Sequence, residues 1–287
     1  MDAGGARTMT DPAVMAREGF VEIDWDGRRQ RVEFARVGVD DPAAPLMVFL
    51  HEGLGSLAMW KDFPHQMASA LGWRGLVYSR PAYGRSTPRL PDTRWRPDFM
   101  HRQAQEVLPQ VLADLGHAQE RPWLFGHSDG GSIALLHAAA FPQRVAGLVV
   151  CAPHLFVESL TVASIEEARE AYASTDLRAK LAKYHDDPDS AFRGWNDIWL
   201  DPDFLAWNIE AEVASVRCPV LAVQGHGDQY GTMAQIDRIA QGLPAGQVEL
   251  LKLDACGHSP HRDQPKALID RVVDFVHRRA GLDSRSK

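Results

Sequence analysis

The residues Gly126-His127-Ser128-Asp129-Gly130 set a serine between two glycines. An apolar run, Pro122 to Gly126, enters this segment, and a second, Gly130 to Ala140, leaves it. That setting predicts a strand, a tight turn and a helix, with the Ser128 hydroxyl lifted clear at the turn. The helix N-terminus behind it would favour developing negative charge. A serine hydroxyl becomes a nucleophile only if a base takes its proton, and the base needs an acid to orient it. Asp228 lies in the loop after the strand-like run Val220 to Gln224, 100 residues beyond Ser128. His258 follows the run Val248 to Leu253, another 30 residues on. Both are expected just past the C-terminal end of a strand, where sites in α/β sheets form. The chemistry expected of this set is acyl transfer through a covalent serine intermediate.

Competing residues are present. His226 is next to the Asp228 loop and His261 is three residues beyond His258, but neither fits the small-residue-then-His pattern so well. Asp254 is too close to its own strand to reach back. The segment Cys151-Ala152-Pro153-His154-Leu155-Phe156 offers no carboxylate as an alternative acid. The segment His51-Glu52-Gly53-Leu54-Gly55-Ser56 follows the strand-like Pro45 to Leu50. A backbone N–H from Gly53, with Leu54 the alternative, and the N–H of Asp129 would form an oxyanion hole. Glu52 and Asp129 would then give the site a negative bias. Two readings stand: an internal ion pair with Arg80 and Arg85, or recognition of a substrate amine.

These groups need elements to hold them. Residues 20–25 and 31–37 flank Asp26-Gly27 and read as a hairpin. Residues 45–50, 74–79, 121–126, 145–153, 218–225 and 247–253 read as further strands. Helical spacing covers 59–71, where Pro64 should break or bend the helix, and 99–116, 130–142, 232–242 and 263–280. Near-continuous apolar strands alternating with helices predict a mostly parallel, doubly wound sheet covered on both faces. Residues 154–215 hold no clear strand and are crowded with aromatics, so a helical cap inserted over the sheet is expected. The division is then a tail at 1–18, a core at 19–153 and 216–287, and a cap at 154–215. Trp195, Trp199 and Trp207, at spacings of four and eight, would share one helical face. With Glu52 and Leu54, Trp195 and Trp199 are candidates to line an apolar pocket; equally, the tryptophans could join the cap to itself.

The whole chain agrees with this reading. It has 287 residues, 45% hydrophobic and 24% charged, with net charge −7. That excludes a disordered or disulfide-dense chain and argues against a nucleic-acid partner. Three cysteines without C-x-x-C spacing fit a reducing compartment. No stretch approaches 18 apolar residues and none reads as a signal peptide, so a cytoplasmic protein without a membrane partner is expected. Oligomeric state is open, a homodimer among the alternatives.

The segments 126–131, 224–231, 256–265 and 79–86 together resemble the α/β-hydrolase superfamily, over about residues 20 to 280. The resemblance is closest to capped serine hydrolases such as meta-cleavage-product hydrolases and biphenyl-hydrolase-like esterases. It implies an α/β-hydrolase fold and a hydrolase acting on a small or medium carboxylic ester, with no metal or organic cofactor. Alternatives are a C–C bond hydrolase, a thioesterase, an amidase or a non-catalytic ligand-binding relative. Two departures stand out. Glu52 occupies a position usually glycine, and Ser79 stands where the family carries aspartate. A serine at the elbow, rather than a carboxylate, argues against haloalkane dehalogenases and epoxide hydrolases.

Overall fold

Asp26 and Gly27 both adopt positive φ, the backbone that a two-residue hairpin turn requires. They join strand β1 (Arg17–Trp25) to β2 (Arg28–Gly38) in an antiparallel pair, Trp25 opposite Arg28. The computed structural model describes residues 17–281. β1 therefore begins at the end of the segment read as a tail, and residues 1–16 lie outside the described residues. The chain continues through β3 (Leu46–Leu50), α1 (Phe63–Leu71) and β4 (Arg74–Tyr78). Pro64 stands in the first turn of α1, where its missing N–H is harmless, and a separate 3₁₀ turn precedes it.

The expected helix over 99–116 is interrupted. α2 (Phe99–Arg102) passes through a π-turn at Gln103–Val107 into α3 (Leu108–Asp114). Pro109 cannot donate to the carbonyl one turn back, which disrupts the regular ladder there. Then follow β5 (Trp123–His127), α4 (Asp129–Ala140) and β6 (Gly147–Cys151). Between β6 and the next strand lie α5 (Ser159–Ser174), α6 (Leu177–Leu181), α7 (Pro188–Trp199) and α8 (Glu210–Val213). The chain closes with β7 (Val220–Gly225), α9 (Ala234–Gly242), β8 (Val248–Leu253), α10 (Pro260–Asp263) and α11 (Pro265–Ala280).

Among the described residues the strands form an eight-stranded sheet, in the order β1-β2-β4-β3-β5-β6-β7-β8. The β1–β2 and β2–β4 pairs are antiparallel, and the other pairs are parallel. Alternate residues face opposite layers. Val48, Leu50, Leu124, Leu148 and Val150 pack with Ile133 of α4 and Leu108 of α3. Met47, Phe49, Phe125, Val149 and Leu221 pack with Met67 of α1 and Phe275 of α11. Each such side chain, fully buried, contributes roughly 1.5–3 kcal/mol. The connection from β4 to β5 crosses back over β3, so the order reverses between β3 and β5. Loops at their C-terminal ends diverge there and leave a crevice.

Candidate active site

That crevice is built first by glycines. A Cβ on Gly126 would lie 2.2 Å from the Gly130 carbonyl oxygen, and one on Gly130 would lie 2.0 Å from that of Leu50. Only glycines let the end of β5, the start of α4 and the end of β3 approach so closely. Between them Ser128 adopts φ 52° and ψ −121°, a strained conformation for a side-chain-bearing residue that tight packing enforces. Its hydroxyl stands at the mouth of the crevice. Asp129 is the first helical residue of α4, so its N–H has no intrahelical acceptor.

The three residues expected to cooperate are brought together. His258 Nε2 is 2.9 Å from Ser128 Oγ, and His258 Nδ1 is 2.9 Å from each Asp228 carboxylate oxygen. Asp228 also accepts hydrogen bonds from Tyr230 N, Gly231 N and Gln224 Nε2. Burial alone would raise its pKa, but the bond to His258 and that residue's charge hold it below the usual carboxylate range. Burial lowers the His258 pKa, partly offset by Asp228, so the imidazole is neutral at rest and able to take a proton. Asp254, by contrast, has a side chain 99% exposed and faces His226 at 3.8 Å, away from the crevice. His261 is buried against Trp60, Phe63 and His127.

His127 holds the loop that carries His258. Its Nε2 lies 2.7 Å from the His258 carbonyl oxygen, so that nitrogen carries the proton and donates. Its Nδ1 faces Glu52 Oε2 at 3.4 Å. Burial would raise the Glu52 pKa, yet the hydrogen bond and charge of His127 hold it far below its ordinary value. The Glu52 side chain is therefore turned toward His127.

Asp129 is compensated differently. It accepts from Trp199 Nε1 at 3.2 Å, and Arg80 Nη2 lies 3.7 Å from its other oxygen. Burial, against the charge of Arg80, pushes its pKa up to about 6. Arg80 is itself 1% exposed, donates to the Glu52 carbonyl oxygen and lies over the Tyr83 ring. Arg85, also expected to meet these carboxylates, points elsewhere. It pairs with Glu18 of β1 and Glu33 of β2. The loop leaves β4 at Ser79, and the backbone of Arg85, some residues on, is fastened to Glu33 too. Ser79, in the place of the usual aspartate, donates to the same buried Glu33 carboxylate. Nothing in the sequence signals this role for Glu33, because a V-E-F alternation normally turns the middle residue to solvent.

Glu52, Gly53, Leu54, Ser128, Asp129, Trp195, Trp199 and His258 line one cavity of about 110 Å³, which Thr161, Ile165, Tyr230 and His154 complete. Trp195 sits directly on the loop after β3: a Cβ on Gly53 would fall 2.2 Å from its Cδ1. α7 starts at an Asp187 cap, whose side chain accepts from Ser190 N, and ends at Trp199. Trp207 lies beyond that end, so the expectation of one shared helical face fails. The Asp201-Pro202 pair opens a separate 3₁₀ turn, and Trp207 stacks on Phe204 instead. The sequence does not single out His154 as a cavity residue; its place just past the end of β6 is the signal that could have found it. Among the described residues, no group of three or more His, Cys, Asp or Glu side chains is placed to hold a metal ion.

A model of the alpha/beta hydrolase family matches residues 47–271. The chain belongs to the alpha/beta hydrolase family. It is 26% identical over 262 residues to a 2-hydroxy-6-oxononadienedioate/2-hydroxy-6-oxononatrienedioate hydrolase of Cupriavidus pinatubonensis, covering 81% of this chain and 87% of that one. It is 27% identical to an esterase of Mycobacterium tuberculosis, covering 85% of this chain and 84% of the other. Its fold matches the crystal structure of a carboxylesterase from Bacillus subtilis with a TM-score of 0.67 and 22% identity, covering 92% of each. The protein is a hydrolase. No described helix is long and apolar enough to cross a membrane.

Proposed function

We propose that this hydrolase cleaves a small carboxylic ester through an acyl-serine intermediate. The observation that carries the reading is the unbroken hydrogen-bonded series Ser128–His258–Asp228, opening into the small cavity. Ser128 Oγ attacks the ester carbonyl carbon while its proton passes to His258 Nε2. Asp228 holds the Nδ1 tautomer and stabilises the imidazolium. The N–H groups of Asp129 and Gly53, two residues that line the cavity, donate to the carbonyl oxygen as it becomes negative. His258 then gives its proton to the departing alkoxide. Water, deprotonated by the same imidazole, attacks the acyl-serine and releases the acid. Residues 154–215 act as the cap that closes the cavity, with Trp195 and Trp199 shaping it.

Size narrows the substrate. The cavity is small, about 110 Å³, which suits a short acyl chain. Of the acidic residues on its wall, Glu52 is turned toward His127 and Asp129 meets Trp199 and Arg80. The test is labelling with a fluorophosphonate probe and peptide mapping. Modification at Ser128, lost in Ser128→Ala with the fold intact, is expected. An unlabelled wild-type protein that cleaves no short-chain p-nitrophenyl ester would refute the proposal.

A further inference from the structure

His154 is 2% exposed, and its ring lies on the wall of the catalytic cavity. It packs edge-on against Trp199, with 4.8 Å between ring centroids, and 5.9 Å from the ring of His258. Its Nδ1 is buried without a hydrogen-bond partner among the described residues. Leaving a buried polar group unpaired is costly, so most are satisfied. His51, His127 and His185, buried nearby, obey this. Each uses both ring nitrogens, on backbone groups or on one backbone group and a carboxylate. His261 also has an unpartnered Nδ1, but its ring is packed among aromatics away from the cavity. His154 differs from all of these in that its ring belongs to the wall of the catalytic cavity while no hydrogen bond holds its Nδ1 among the described residues.

The backbone beneath that ring is fixed. Ser132 Oγ donates to the His154 carbonyl oxygen at 2.7 Å and accepts from the His154 N–H at 3.0 Å. Two residues earlier, Ala152 is held at φ 48°, a left-handed conformation that costs a non-glycine residue energy. The loop after β6 is thus rigid and directs an imidazole into the site. Burial lowers the pKa of that imidazole to about 3, so it presents one N–H donor and one lone pair at neutral pH.

We propose that His154 is a specificity-determining residue, binding an uncharged hydroxyl or carbonyl oxygen that the substrate carries close to its scissile ester. The inference rests on the reading of Ser128 as the acyl-accepting nucleophile. A hydroxyl can both donate to and accept from a neutral imidazole, and a carbonyl can accept from its N–H. The oxygen could belong to the acyl chain or to the alcohol, and two substrate pairs separate these sources. The first compares p-nitrophenyl 3-hydroxybutyrate with p-nitrophenyl butyrate. The second compares 2-hydroxyethyl butyrate with propyl butyrate.

The readout is the ratio of kcat/KM within each pair, for wild type, His154→Phe and His154→Gln. Wild type is expected to prefer the hydroxylated member of one pair. His154→Phe, close to isosteric but without polar atoms, should reduce that preference roughly tenfold or more, as for a polar contact left unmade. His154→Gln, which keeps a donor and an acceptor, should restore most of it. If His154→Phe does not fold, His154→Gln and His154→Leu give the same comparison. Ratios that are equal in wild type and both variants, for both pairs, overturn the proposal. Fluorophosphonate labelling of Ser128 and cleavage of plain butyrate, accompanied by such equal ratios, would refute this inference alone. Absence of labelling would remove the reading of the site on which it rests.

Discussion

At the scale of single residues, the orientation of one imidazole decides what the serine can do. Asp228 Oδ1 and Oδ2 both lie 2.9 Å from His258 Nδ1, so the proton of the neutral ring is drawn to Nδ1 and Nε2 is left as acceptor toward Ser128. Asp228→Asn would offer an amide N–H at that place and favour the other tautomer. Ester hydrolysis is expected to fall by about 10⁴, with thermal stability nearly kept because Asn retains acceptor capacity for Tyr230 N. Asp254→Asn, altering a fully solvated carboxylate, should leave the rate within about twofold. Steady-state kinetics of the two variants on one ester check this, and comparable losses in both would be wrong for the geometry. The placement of these three residues was readable in the sequence because each rule involved is local: a strand ends, a small residue follows, a polar side chain stands next. Partner choice was not readable. Arg80 and Arg85 are five residues apart in one loop, and only the folded loop sends one to Asp129 and the other to Glu33.

At the scale of elements, the segment after β3 and helix α7 behave as a pair. Trp195 of α7 occupies the space a Gly53 side chain would need, and His185, just before α7, donates to the Leu54 carbonyl oxygen at 3.1 Å. The helical segment therefore presses on the backbone of the loop whose Gly53 N–H is proposed as an oxyanion donor. Gly53→Ala is expected to displace that backbone and cut kcat at least tenfold, since donor misplacement of this kind costs about 10²–10³ in related cases. Trp195→Phe, smaller at the point of contact, should recover part of the loss in the double variant. A double variant as slow as the product of the two single losses would show that the elements are independent. A second prediction concerns the loop after β4. The Glu33 carboxylate accepts from the Ser79 hydroxyl, the Arg85 N–H and the Arg85 guanidinium. Glu33→Ala should lower stability by about 2–3 kcal/mol, in the range of one charged hydrogen-bonding group removed from a buried site; urea unfolding measures it. Strand and helix periods were legible because they repeat. The contact of Trp195 with Gly53 was not, since it joins positions 142 residues apart and depends on how a helix outside the sheet settles on it.

At the scale of the whole molecule, buried histidines set how the fold responds to acid. His51, His137, His154, His185 and His261 are each shifted below their ordinary pKa of 6.5, with burial the leading cause. His137 falls to about 4, held in α4 with its Nδ1 donating to the Ala104 carbonyl oxygen. A histidine with a depressed folded pKa is neutral in both states above pH 6.5. Below that, the unfolded chain takes up the proton and the folded one does not. Stability is therefore lost as pH falls from about 6.5 toward the folded value, where the loss is complete. For His137 the full loss is about 3 kcal/mol, because each tenfold weakening of proton affinity corresponds to about 1.4 kcal/mol. Asp129 acts in the opposite sense. Its pKa is raised to about 6, so its burial costs stability as pH rises from about 4 to 6 and partly opposes the histidines there. Several groups against one should win. The melting temperature is expected to decline steadily from pH 6.5 to about pH 5, before ordinary carboxylates are titrated. His137→Gln, which retains a donor for the Ala104 carbonyl, should flatten the decline while costing some stability at pH 7.5. A melting temperature constant between pH 6.5 and about pH 5 would mean that the buried imidazoles gain protons without unfolding.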